Sequence, residues 1–175
     1  ISREVRRRRT QNIRRIPFGS RTKITMENFE KIITYTDGGS RGNPGPAALG
    51  AVICDHTGKI LKEYSQALGR KTNNEAEYEA VIFSLKKVKQ LFGKEKAKKM
   101  RVEMRMDSEF VVKQMTGKYK VEEERMVPLF IAVWNLKLDF ANVDFVHVRR
   151  EQNKDADRLV NEAFDGEQGE LWGQN

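Results

Sequence analysis

The sequence predicts an α/β protein: a five-stranded mixed sheet, its first three strands antiparallel, with helices packed on it. Three observations predict it. Three strand-like runs come first with no helix between them, and HTG, a short glycine-containing connection of hairpin type, joins the second to the third. Helical patterns then alternate with two more strand-like runs, which makes the later strands parallel. Charged residues at 33% and apolar residues at 38% suit a water-soluble domain with a core of its own.

The elements follow in order. KIITYT (31–36) is β-branched and aromatic and reads as the first strand, ending at Asp37 before the turn-rich GGSRGNPG. ALGAVICD (48–55) and KILKEYSQAL (59–68) are the hairpin pair. TNNEAEYEAVIFSLKKVKQLF (72–92) is helical, with Tyr78, Val81, Ile82, Leu85, Val88 and Phe92 on one stripe. RVEMRM (101–106) alternates as a fourth strand, and SEFVVKQMTG (108–117) is a short helix closed by Gly117. Residues 124–138 form another helix, NVDFVHV (142–148) a fifth strand, and NKDADRLVNEAF (153–164) a last helix before a short, loose tail over 166–175.

Charge divides the chain. Residues 1–23 hold nine Lys or Arg and one acid, Glu4, which accounts for the whole formal charge of +8; the remainder is neutral. The expected organisation is a flexible basic arm over 1–29, a catalytic domain over 30–165 and the tail. Such an arm suits a polyanion, and the competing readings are a solvated leader or an organelle-targeting segment. The chain starts at Ile1, which suits a processed or trimmed product. There is no secretory apolar region and no run near the roughly 18 residues of a membrane span. The single cysteine, Cys54, lies in the apolar run AVIC and reads as a core side chain. A monomer in the cytoplasm is expected.

Four acids occupy comparable places. Asp37 and Asp107 end strands, and Glu77 and Asp157 open helices, so one rim of the sheet can bring them together. Taken singly each reads as a solvated cap; four on one rim read as a site. At ~100° per residue, Glu77 lies about 65° from the centre of its helix's apolar stripe, against about 95° for Glu75 and about 135° for Glu79. Glu77 therefore turns most toward the sheet. For the last helix, phase does not choose between Asp155 and Asp157. Carboxylates held close resist joint ionisation unless cations neutralise them, and oxygen-liganded Mg²⁺ suits that task at a phosphodiester.

The blocks YTDGGSRGNPGPAALGAVI, TNNEAEYEA, MDSEFVVKQMTGKYKV and HVRREQNKDADRLVNEA, in this order over about residues 31–165, resemble type 1 ribonuclease H, especially its shorter archaeal-like branch. The resemblance implies a ribonuclease H-like fold and cleavage of the RNA strand of RNA–DNA hybrids, with two Mg²⁺ ions per site and Mn²⁺ as an alternative. It implies Asp37, Glu77, Asp107 and Asp157 as catalytic, metal-binding acids, the spacing from Asn153 selecting Asp157. It implies Gly38, Asn43, Asn73 and Asn74 as substrate contacts, with Gly38 letting the RNA backbone approach. Helix capping is a second role for the stretch from Thr72 to Asn74. Contacts to 2′-hydroxyls would single out the RNA strand; double-stranded RNA is a further candidate substrate.

Two departures from the family stand out. Residues 117–138 leave no room for a basic protrusion, and no histidine precedes Asp157 in RREQNKDAD. His56 falls in the hairpin turn, and His147, inside the fifth strand, reads as structural; Arg149 or Arg150 is the electrostatic substitute. The alternative function is a module that binds hybrids or double-stranded RNA without cutting. Strand-transfer enzymes share this fold, but their sequence blocks differ.

Overall fold

Five strands make one mixed sheet in the order β3-β2-β1-β4-β5. They are β1 (Glu30–Ser40), β2 (Gly45–Asp55), β3 (Ile60–Lys71), β4 (Met100–Met106) and β5 (Asn142–His147). The computed structural model describes residues 30–172, so the basic arm expected over 1–29 lies outside the described residues. β1 to β3 run antiparallel through tight connections, and β4 and β5 add in parallel beside β1. The order and strand directions agree with the sequence.

The strands are longer than their apolar runs. β1 does not stop before the glycines: it continues through Gly38 and Gly39 to Ser40, paired with β2 as far as Ser40↔Ala47. Its pairing with β4 ends earlier, at Tyr35↔Arg105. Asp37 is therefore still inside one ladder and just past the end of the other. That asymmetry opens the sheet between β1 and β4, at the carboxyl ends of its parallel strands.

Alternation along the strands sorts two cores. Ile32, Ile53, Met100, Val102, Met104 and Met106 face one side and Ile33, Val52 and Cys54 the other. The first side is covered by three helices: α1 (Asn73–Phe92), α3 (Glu109–Met115) and α4 (Val127–Lys137). α1 starts at Thr72, whose hydroxyl accepts from the Glu75 N–H while the Glu75 carboxylate accepts from the Thr72 N–H. This reciprocal cap fixes the helix phase and buries the predicted stripe at Tyr78, Val81, Ile82, Leu85 and Val88. A four-residue helix, α2 (Lys94–Ala97), follows Gly93 and was not expected. A single 3₁₀ turn leads into α4, so only a loop and that turn separate α3 from α4.

The other side is covered by α5 (Lys154–Trp172), through Leu159, Val160 and Phe164. α5 does not end at Phe164: it runs on through Trp172, so residues 166–172 are helical rather than loose. No described helix is long and apolar enough to cross a membrane.

Candidate active site

The opening between β1 and β4 holds the acids. Asp37 comes from β1, Glu77 from the second turn of α1, and Asp107 from the residue after β4; one carboxylate oxygen of each lies within 4.8 Å of the others. Glu77 is one turn further into α1 than expected, because Thr72 caps the helix and Glu75 takes its first turn. Asp157, in the first turn of α5, faces the same cleft of about 400 Å³, together with Gly38, Gly39, Ser40, Asn73, Arg150 and Asn161. Asp155 instead lines a separate pocket with Tyr35, Val52 and Cys54. The fold thus separates two acids that helical phase leaves equivalent.

Electrostatics marks the cluster as unfinished without cations. Burial, then the Asp107 and Asp157 carboxylates, push Asp37 up to about 7 from an ordinary value of 3.8. Burial, then Asp37 and Asp107, hold Glu77 well above the usual carboxylate range. Clustered acids with raised proton affinity are a hard-cation donor set, since a divalent ion replaces the protons and removes the repulsion. The residues fit such an ion. Asp157 already has a cationic partner: Arg150 donates from Nη2 to its Oδ1 at 2.8 Å.

The neighbouring amides are braced as well as exposed. Asn73 Oδ1 accepts from the Ser40 N–H at 2.8 Å and from the Ser40 hydroxyl at 3.1 Å, tying α1 to the end of β1. Its Nδ2 makes no hydrogen bond among the described residues, and Asn73 lines the cleft. Asn43, preceding a cis peptide to Pro44, accepts from the Asn73 N–H. Neither Asn73 nor Asn74 caps α1, since Thr72 does. Asn74 is half-buried and does not line the cleft.

Gly38 borders the cleft, but its missing side chain answers to α1. A Cβ there would lie 2.2 Å from the backbone carbon and oxygen of Ala76 and 2.5 Å from the Glu77 nitrogen. The close approach of α1 is thus a reason of its own for glycine at this position. His147 is exposed at the end of β5 rather than packed as a structural residue, and it does not line the cleft. Two further residues emerge from the structure: Ser40 and Asn153. Ser40 carries no local pattern that distinguishes it from a turn residue, and the sequence marks Asn153 only by its spacing to Asp157.

A mixed five-stranded sheet here gathers carboxylates from a strand, a helix and a strand end into one cluster with metal-ligand spacing. Residues 35–163 match the family model described as reverse transcriptase-like. The chain is 38% identical to ribonuclease HI of Halobacterium salinarum over 151 residues, covering 84% of this chain and 73% of that protein. It is 42% identical over 137 residues to the bifunctional protein Rv2228c of Mycobacterium tuberculosis, covering 77% of this chain. The match spans only 36% of that longer relative. The crystal structure of LC11-RNase H1 in complex with RNA/DNA hybrid superposes with a TM-score of 0.74 at 49% identity, covering 77% of this chain and 97% of that one. The chain belongs to the ribonuclease HI family.

Proposed function

We propose that this protein is an endonuclease that hydrolyses the RNA strand of RNA–DNA hybrids by a two-metal-ion mechanism, leaving 3′-hydroxyl and 5′-phosphate ends. The observation that carries the proposal is the convergence of Asp37, Glu77 and Asp107 within 4.8 Å in a cleft open to solvent. The relative crystallised with an RNA/DNA hybrid supports the substrate class.

Asp37, Glu77, Asp107 and Asp157 would hold two Mg²⁺ ions, or Mn²⁺ in their place, and such ions when bound supply an activated water and neutralise charge at the scissile phosphate. The remaining work falls to the chain's own groups. The Asn73 amide donors and the backbone of Gly38 and Gly39 border the cleft where a ribose edge would lie. Hydrogen bonds from Asn73 and Asn74 to 2′-hydroxyls would separate RNA from DNA, with Asn43 bracing the Asn73 backbone. Arg150, paired with Asp157 at 2.8 Å, would serve as the electrostatic substitute for the loop histidine of other family members.

The neutral body and absent protrusion leave the basic arm as the main source of phosphate contacts. Activity on double-stranded RNA, a monomeric state and a cytoplasmic location belong to the same proposal, the last supported by the single buried Cys54. End-labelled hybrid, RNA duplex and DNA duplex, each incubated with Mg²⁺ and with chelator, test it. Metal-dependent cutting of the RNA strand in the hybrid is expected. Binding to hybrid without cutting would instead establish a non-cleaving module.

A further inference from the structure

We infer that Asn153 is a positioning residue: it sets the Asp107 carboxylate against Asp37 and Glu77 and so controls the affinity of the site for its divalent cation. The inference rests on the carboxylate-centred reading above.

The β1–β4 ladder ends at Tyr35↔Arg105. One residue further along β1, the Thr36 carbonyl receives Asn153 Nδ2 at 3.0 Å, and the same Nδ2 donates to Asp107 Oδ1 at 2.9 Å. A single side-chain amide thus bridges the two strand ends where strand-to-strand bonding has stopped. It is the only side-chain hydrogen bond that Asp107 makes among the described residues. One group therefore both spans the crevice and holds the Asp107 carboxylate.

The other end of that amide shows that the arrangement is not ordinary packing. Asn153 is 1% exposed, and its Oδ1 is buried with no hydrogen-bond donor among the described residues. Two acceptors, a carbonyl and a carboxylate, flank the inner end, so rotating the amide would set oxygen against oxygen. The orphaned acceptor is the consequence of pointing both N–H bonds at Thr36 and Asp107. A buried unsatisfied group costs stability, and such costs are kept where the group serves a site. An apolar side chain would spare that cost and leave the Asp107 oxygen and the Thr36 carbonyl without their donor.

Groups that orient a ligand change metal affinity or activity by about 10–100-fold when lost. Calorimetric titration of the protein alone with MgCl₂ or MnCl₂ is the direct readout. Asn153→Leu, which nearly keeps the shape, adds no charge and removes the donors, and Asn153→Ala are each expected to weaken metal binding by about 10–100-fold. Their hybrid turnover should fall at low Mg²⁺ and recover partly at high Mg²⁺, while KM for hybrid stays within about twofold. Val133→Ala, a core change in α4, should lower Tm and leave metal affinity unchanged. Metal affinity in either Asn153 variant equal to wild type overturns the inference.

If both variants fail to fold, the wild-type protein still decides. The Asn153 side-chain amide resonances should shift with the same midpoint as Mg²⁺ binding, and unmoved resonances overturn the inference. Asp107→Asn separates the two levels of the account. Loss of metal binding there with retention in Asn153→Leu defeats only the positioning role, whereas retention in Asp107→Asn defeats the site reading itself.

Discussion

Gly50 and Ala156 meet backbone to backbone: a Cβ on Gly50 would lie 2.2 Å from the Ala156 carbonyl oxygen. Gly50 is the ladder partner of Asp37, and Ala156 precedes Asp157. The missing side chain lets α5 descend onto β2 and brings Asp157 into the cleft with Asp37. Gly50→Ala should therefore lift α5, cost about 1–3 kcal/mol as overpacking does, and reduce hybrid cleavage beyond the loss of folded protein. Thermal melts and turnover normalised to the folded fraction check this. An unchanged Tm would show that the contact relaxes freely.

Protonation of the acid cluster should be visible in the stability of the metal-free protein. Asp37 sits at about 7 in the fold against 3.8 ordinarily. A raised native value means that the stabilisation is fully present below about pH 4 and is lost as pH rises through about 7. With chelator present, Asp37→Asn should be more stable than wild type by on the order of 2–4 kcal/mol at about pH 8. The gap should shrink as pH falls toward about 5, and Mg²⁺ should narrow it at high pH by stabilising wild type. Melts across pH with and without Mg²⁺ are the measurement, and a gap independent of pH contradicts the electrostatic account.

The two acids of the last helix should differ sharply. Asp157 faces the acid cleft with Arg150, whereas Asp155 lines the other pocket and approaches Arg158 at 3.9 Å. Asp157→Asn should lower turnover by about 10²-fold, the scale of losing one charge-stabilising group. Asp155→Asn should stay within about twofold, as surface changes do. Steady-state kinetics on hybrid decides, and greater sensitivity at Asp155 would shift the register of the site by two residues.

β4 was legible because its burial alternates strictly, and α1 because its stripe keeps a helical period. What the sequence misreads comes from tertiary contact. Gly38 and Gly39 read as a turn, yet β2 holds them in a strand after β4 has ended. Gly38 reads as room for substrate, and the packing of α1 against its Cα, which also demands glycine, has no signature in the sequence. The choice between Asp155 and Asp157 depends on how α5 sits over Gly50, which no periodicity within α5 records. Asn153 marks the spacing to Asp157 in the sequence, but its bond to Thr36 crosses 117 residues and has no local signature.

The basic arm should supply much of the substrate affinity. If its nine cations make about four phosphate contacts, deleting residues 1–23 should flatten the log–log salt dependence of hybrid binding by roughly 3–4 units. KM should rise at physiological salt while kcat holds, since a distant tail contributes uniform binding. Kinetics of full-length and truncated protein over a salt series test this. An unchanged slope and KM would leave the arm a targeting segment or an inert extension.

The central claim is that the Asp37–Glu77–Asp107 cluster holds the metal that cuts. Hybrid turnover by Asp37→Asn with saturating Mg²⁺, in protein shown to be folded, tests it most directly. The account predicts loss of cleavage to background with hybrid binding retained, because the substitution removes charge and keeps shape. Turnover near wild type would contradict it.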